Sequence, residues 1–312
     1  MKLLFYTVLL CLFPLICFAQ ADSVYVQPYK NKLSVKAYTA FNGLSLDRET
    51  GNKATSKTYM PNSPMVLGVG VSINNTIINL SLGQALHFLT DDKKGNTKAF
   101  DFQVHNYGRK FIIDLFLQQY KGFYTANDND KNIQLYPDLD ITQYGANMQY
   151  VFNNKKFSYK AAFNQTERQL KSAGSWLIGG GVYYTNVASD SSFVYRGRNS
   201  LRSYQIGANG GYAYLWAISN RWFATGSSTI GINAGTERLN NIRLKIYPTI
   251  FPRFAFGYNK ERWSLGLTYV NNIIFSSVSG DSNNTIGTMA SSLQFTYTLR
   301  LDVILFFNRK RS

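Results

Sequence analysis

Apolar and polar residues alternate with period two along most of this chain. In Met65 to Ile73 the odd positions are Met65, Leu67, Val69, Val71 and Ile73, and the even positions are Val66, Gly68, Gly70 and Ser72. Successive side chains of a strand point to opposite faces, so this reads as a strand with one apolar face and one small or polar face. The pattern returns in Phe111, Ile113, Leu115 and Leu117. It returns again in Tyr144, Ala146, Met148 and Tyr150, which oppose Gln143, Gly145, Asn147 and Gln149. Phe157, Tyr159, Ala161 and Phe163 oppose Ser158, Lys160, Ala162 and Asn164, which predicts a further strand there. Later stretches repeat it, with Tyr204 to Trp216, Ile242 to Phe256 and Leu293 to Leu301 each showing one apolar face.

Two architectures make such strands. A soluble sandwich turns the apolar face into a core and the other face to water, whereas a transmembrane barrel turns the apolar face to lipid and lines its lumen with the other. A water-washed strand face is rich in Thr, Lys and Glu. Here the polar face is dominated by Gly, Asn, Gln and Ser with few charges, which suits a crowded, hydrogen-bonded interior and favours the barrel. Trp216 and Trp222 flank a tight turn, and Trp263 follows another at Asn259 to Glu261. These are the places an interfacial aromatic girdle occupies, although bulky residues capping a soluble core would sit there too.

Connections alternate between short ones, as at Asn74–Asn75 and around Gly108, and long polar ones, as at Asp47 to Ser63 and Thr125 to Pro137. This is the asymmetry of outer-membrane barrels. The expectation is an all-β, antiparallel up-and-down transmembrane barrel of about 12 strands, within a range of about 10 to 14. One irregularity stands out: longer linkers follow one another around Gln165 to Ala173 and Asp190 to Ser200, and a count of strands can come out odd. Either Leu33 to Leu46 is not a barrel strand, or a strand between Phe157 and Tyr204 is miscounted.

Residues 1–19 have the layout of a cleavable signal peptide, with Lys2, an apolar run to Phe18 and a small residue at Ala19. The run is broken by Pro14 and too short for a spanning anchor. Residues 20–312 are then one barrel domain. Cys11 and Cys17 both fall inside the signal, so the exported chain has no disulfide, thiolate metal site or cysteine nucleophile.

Composition adds a tension that the barrel resolves. The chain is 15% aromatic and only 16% charged, yet carries a formal net charge of +16. The aromatics belong to a lipid face and girdle, and the charge to loops, turns and a few lumen positions.

Three stretches also resemble a known family: Pro61 to Ile73 (PNSPMVLGVGVSI), His105 to Tyr124 (HNYGRKFIIDLFLQQYKGFY) and Tyr150 to Gly180 (YVFNNKKFSYKAAFNQTERQLKSAGSWLIGG). The sequence is similar to the domain of unknown function 4421 family from about Tyr29 to its C-terminus. That resemblance implies a Gram-negative origin of the Bacteroidota type and an outer-membrane β-barrel. It carries over no catalytic or ligand residue.

Chemistry is sparse. His105 shares a strand with Asp101 and Gln103 and is a candidate base, but no one hydroxyl partner stands out, and a lumen or rim histidine bound to its neighbours is the better account of it. Asp128 and Asp130 lack the spacing of a calcium loop, and no other cluster has metal spacing. No cofactor is expected. The charges Lys160, Arg243, Lys245, Arg253 and Arg300 fall on the non-lipid face, with Asp101 and Asp114 as partners. They would form either an ion-pair network filling the lumen or a basic constriction that favours anions. The expected partners are outer-membrane lipid, including phosphorylated glycolipid attracted to basic loops, and a small anionic or hydrophilic solute. Export argues against nucleic acid. The two functions that follow are a narrow pore or binding barrel, and a non-conducting structural or partner-binding subunit.

Overall fold

The computed structural model describes residues 21–30, 33–49, 56–63, 65–73, 76–82, 91–126, 132–190, 199–237, 244–277 and 285–301. Among them are the strands β1 (Val26–Pro28), β2 (Leu33–Glu49), β3 (Lys57–Tyr59), β4 (Val66–Ile73), β5 (Thr76–Leu82), β6 (Lys98–Tyr107), β7 (Phe111–Ala126) and β8 (Ile133–Val151). They continue with β9 (Glu167–Gln169), β10 (Ala173–Ala188), β11 (Ser200–Ala217), β12 (Trp222–Thr236), β13 (Lys245–Asn259), β14 (Trp263–Ser277) and β15 (Thr285–Leu301). Twelve close into a ring: β2, β4, β5, β6, β7, β8, β10, β11, β12, β13, β14 and β15 pair in that order, each antiparallel to the next. The ring shuts where β15 pairs with β2 along the whole of both strands, from Leu33 opposite Leu301 to Glu49 opposite Thr285. Leu33 to Leu46 is therefore a barrel strand, and the protein is an up-and-down transmembrane barrel of twelve strands.

The alternation seen in the sequence is the alternation of wall faces. In β4, Leu67, Val69, Val71 and Ile73 are 41–56% exposed, while Val66, Gly68 and Ser72 between them are buried. On β12 and β13, Ile230, Ile232, Ile246 and Phe254 are likewise exposed. Burying one such side chain stabilises by about 1.5–3 kcal/mol, so a sandwich would have turned them inward. A continuous apolar belt around a closed wall calls for lipid. No helix among the described residues is long and apolar enough to cross a membrane.

The two ends of the barrel differ. Turns of two to four residues join β4 to β5, β6 to β7, β11 to β12 and β13 to β14 at one end, while the longer connections, apart from residues 152–172, gather at the other. Trp176, Trp216, Trp222 and Trp263 all lie at the short-turn end and point outward from its strands. They form runs of ring contacts: Trp222 stacks on Phe256 at 5.2 Å and meets Tyr258 at 4.8 Å, and Tyr258 contacts Trp263 at 5.5 Å.

The predicted strand from Phe157 to Phe163 does not exist. Residues Lys160–Asn164 wind into a single π-helical turn inside the barrel mouth. Ser158 starts it: its hydroxyl accepts from the Ala161 N–H at 3.1 Å and its carbonyl from the Ala162 N–H at 3.1 Å. Phe157, Tyr159, Ala161 and Ala162 are all buried, so neither side of this segment is a lipid face and its period-two pattern is coincidental. With that strand removed, residues 152–172 are one long excursion between β8 and β10 at the short-turn end, and successive connections again alternate between the two ends of the barrel. The signal segment, residues 1–19, lies outside the described residues, as do Asp128, Asp130 and Arg243.

Candidate functional site: a plugged polar lumen

The excursion 152–172 and the N-terminal segment 21–30 fold together as a plug. Strand β1 pairs with β9, from Val26 opposite Gln169 to Pro28 opposite Glu167, and the Leu170 N–H donates to the Tyr25 carbonyl at 2.7 Å. The plug's apolar side, with Phe157, Tyr159, Ala161 and Ala162, packs on Ile112, Val151, Leu177, Leu215 and Phe223 of the wall.

Glu167 ties the plug together. Its carboxylate meets Arg109 Nη2 at 2.8 Å and Lys160 Nζ at 2.9 Å, and accepts from the Ser158 hydroxyl at 2.7 Å. Arg109 comes from the turn between β6 and β7, so one buried carboxylate joins barrel turn, π-turn and β9. Burial holds the Arg109 guanidinium below its ordinary pKa, and Glu167 opposes that shift.

Two wall cations hold the plug by its backbone. Lys36 Nζ, on β2, donates to the Asn164 carbonyl at 3.2 Å, and Arg300 Nη2, on β15, donates to the Gln165 carbonyl at 2.6 Å. Arg300 also lies 3.5 Å over the Tyr29 ring, a cation–π contact that secures the N-terminal segment. Burial raises the Tyr29 phenol above its ordinary pKa, with Arg300 pulling the other way. Gln165 has φ 54°, the one non-glycine residue in the left-handed region among those described. Such a conformation persists where its surroundings fix it. The Gln165 amide donates to the Leu265 carbonyl at 2.8 Å and lies against Gly257 and Gly266, where any Cβ would run into it.

Above the plug, side chains cross the lumen. Arg253 on β13 donates from Nη2 to Asp114 Oδ2 at 2.8 Å and from Nη1 to the Tyr107 hydroxyl at 3.1 Å. The Tyr107 hydroxyl donates to Asp114 Oδ1 at 3.0 Å, and His105 Nδ1 shares a 2.6 Å hydrogen bond with the same oxygen. Gln143 on β8 donates to the Thr288 hydroxyl on β15 at 3.0 Å, and Gln149 to Asn209 Oδ1 at 2.8 Å. Phe116, Tyr183, Phe251 and Ile274 fill an apolar layer. At the long-connection end, Leu44, Leu46, Tyr120, Leu139, Ile141 and Ile286 form another.

What remains is a cavity of about 90 Å³ beside the plug. Lys36, Asp101, Gln103, His105 and Arg253 line it, together with Asn164 and Gln165 of the plug. Asp101 accepts from Gln103 at 2.9 Å, from Gln118 at 2.9 Å and from Tyr120 at 3.3 Å.

The residues singled out in the sequence therefore separate into four places. Asp114 and Arg253 meet in the lumen, and Asp101 is held apart from them by Gln103, Gln118 and Tyr120. Arg300 faces inward and grips the plug. Lys160 belongs to the plug itself and pairs with Glu167. Lys245 sits at the long-connection rim, 3.2 Å from Glu237. His105 serves the Asp114 cluster, and no serine or threonine hydroxyl of the described residues hydrogen-bonds to it. Among the described residues no three His, Cys, Asp or Glu side chains gather as metal ligands. Lys36, Arg109 and Glu167 went unrecognised. Lys36 had a signal, being the lone charge on the polar face of the strand Val35, Ala37, Thr39, Phe41. Glu167 and Arg109 lie outside any alternating stretch and had none.

A family model described as domain of unknown function DUF4421 matches residues 20–298. No curated protein matches the sequence. Among solved structures, the chain is similar to the outer-membrane protease OmpT of Escherichia coli, at 6% identity and TM-score 0.34 over 87% of this chain and 97% of that one. It is similar to a FadL homologue of Pseudomonas aeruginosa at 8% identity and TM-score 0.32, over 87% of this chain and 91% of that one. OmpT of Vibrio cholerae is matched at 7% identity and TM-score 0.29, over 86% of this chain and 99% of that one. Superpositions this loose lend nothing to fold or activity; the fold rests on the closed ladder.

Proposed function

The chain belongs to the domain of unknown function DUF4421 family, and from that footing we propose that it is an outer-membrane barrel closed to ion flow, a binding barrel and not an open pore. One observation carries the reading: the Arg253–Asp114 ion pair spans the lumen directly above a plug that fills the short-turn end. A conducting pore of twelve strands would need an unobstructed polar path, and here apolar layers lie at both ends of the polar middle. The apolar belt and the tryptophan girdle support insertion in a bilayer. Short turns, the start of β2 and the end of β15 at one end of the barrel support the periplasmic side for the plug. A signal peptide over residues 1–19 would deliver the chain there, and the basic loops would face phosphorylated glycolipid.

Liposome swelling tests the closed lumen. Vesicles carrying the mature protein, inserted as judged by heat-modifiable migration, should not swell in an isotonic small sugar. Swelling at the rate given by an open porin would reject the reading.

A further inference from the structure

The cavity beside the plug is lined by two ionisable side chains of opposite sign that do not meet, a buried Lys36 and a partly buried Asp101. Lys36 is 6% exposed, and its ammonium has one acceptor, the neutral Asn164 carbonyl. Asp101 is bound by two amides and a phenol, all neutral. Among the described residues neither has an ion-pair partner, whereas Arg253, which also lines the cavity, is paired with Asp114 at 2.8 Å. Buried charges are ordinarily paired, because leaving water without a counter-charge is costly.

Strand register fixes their separation. Lys36 is opposite Gly70 on β4, Gly70 is opposite Asn79 on β5, and Asn79 is opposite Gln103 on β6. Asp101 is the next inward residue beyond Gln103. Three ladders put about 14 Å of wall between the two backbones. Gly70, next to Lys36 in that row, has no side chain. A small molecule with a negative end for Lys36 and a positive end for Asp101 would satisfy both.

Size narrows the choice. Set against a cavity of about 150 Å³ that takes up benzene, one of about 90 Å³ has room for a molecule smaller than benzene. Gln103, Gln294 and Thr296 add neutral hydrogen-bonding groups around it, and Tyr38 and Phe163 add apolar wall.

We infer that this cavity is a binding site for a small zwitterion, a free α-amino acid of the size of glycine or alanine, with its carboxylate on Lys36 and its ammonium on Asp101. The inference rests on the reading of a closed binding barrel and specifies its ligand. The Lys36 ammonium reaches both the ligand and the Asn164 carbonyl, so an occupied site also touches the plug.

Calorimetric titration of the mature protein in detergent tests it, with glycine, alanine, acetate and methylammonium as probes. Glycine or alanine should bind, and acetate and methylammonium should bind at least about tenfold more weakly, since each satisfies one charge only. Lys36→Met and Asp101→Asn should each weaken glycine binding by about 10- to 100-fold. Because Lys36→Met also loses a plug contact, Thr268→Leu provides a second variant: it fills the cavity without touching either charge and should abolish binding while heat-modifiable migration is kept. Acetate binding as tightly as glycine, with Asp101→Asn unchanged, would overturn the assignment. So would a wild-type protein that binds neither amino acid. Both results are separable from the closed-barrel reading, which fails only if vesicles swell.

Discussion

Arg253 on β13 reaches across the lumen to Asp114 on β7, Nη2 to Oδ2 at 2.8 Å, although five ladders of a twelve-strand ring lie between the two strands. The contact joins nearly opposite walls. Arg253→Met leaves the Asp114 carboxylate buried without its cation, which costs about 3–5 kcal/mol for pairs of this kind. The double variant Arg253→Met with Asp114→Asn removes both charges and should recover most of that loss. Urea unfolding in lipid vesicles checks it, and additive losses would mean the pair is not coupled.

Glu167→Gln should loosen the plug and spare the wall. The substitution strands Arg109 and Lys160 without their carboxylate, while the ring of ladders is untouched. Limited proteolysis in detergent should cut within residues 152–172 many times faster than in the wild type, with heat-modifiable migration retained. Equal protection would show that apolar packing alone holds the plug.

Gly266→Val should displace Gln165. Any Cβ at Gly266 enters the space of the Gln165 side chain, and a branched one cannot be accommodated by a small shift. The expected readout matches that of Glu167→Gln, faster cleavage within 152–172, although the two sites share no side-chain contact. Gly226→Val on the outer wall is the control, because the nearest atoms a Cβ would meet there are 3.6 Å away.

Ile230→Arg separates the membrane barrel from a water-soluble one. Ile230 is 63% exposed near the middle of β12, within the apolar belt. A charge on the lipid face near the midplane costs about 2–4 kcal/mol, whereas an exposed substitution on a soluble surface is close to neutral. Folding into vesicles should therefore be weakened by that amount, and an unchanged midpoint would count against insertion.

Most of the wall was legible in the sequence because its rule is local. A strand between lipid and a crowded lumen must alternate, and Leu67, Val69, Val71 and Ile73 follow that rule without reference to any neighbour. The plug obeys no such rule. Phe157, Tyr159, Ala161 and Phe163 alternate by accident, and what decides their conformation is the Ser158 hydroxyl on Ala161 and burial on every side. The lumen was half legible. Inward charges such as Arg253 and Arg300 could be read from parity, but parity does not say that Arg253 meets Asp114 while Arg300 grips the Gln165 carbonyl. Lys36 needed its strand to be accepted before its parity meant anything. Glu167 needed the pairing of β9 with β1, set by contacts more than a hundred residues apart in sequence.

Current recordings in planar bilayers test the closed lumen most directly. The wild-type mature protein and a variant in which residues 155–170 are replaced by a short Gly-Ser linker are inserted under identical conditions. The wild type should remain silent, and the variant should show stepwise current, raised further by Arg253→Met, which removes the bridge above the plug. Stepwise current from the wild type, equal to that of the plug-less variant, would contradict a closed barrel.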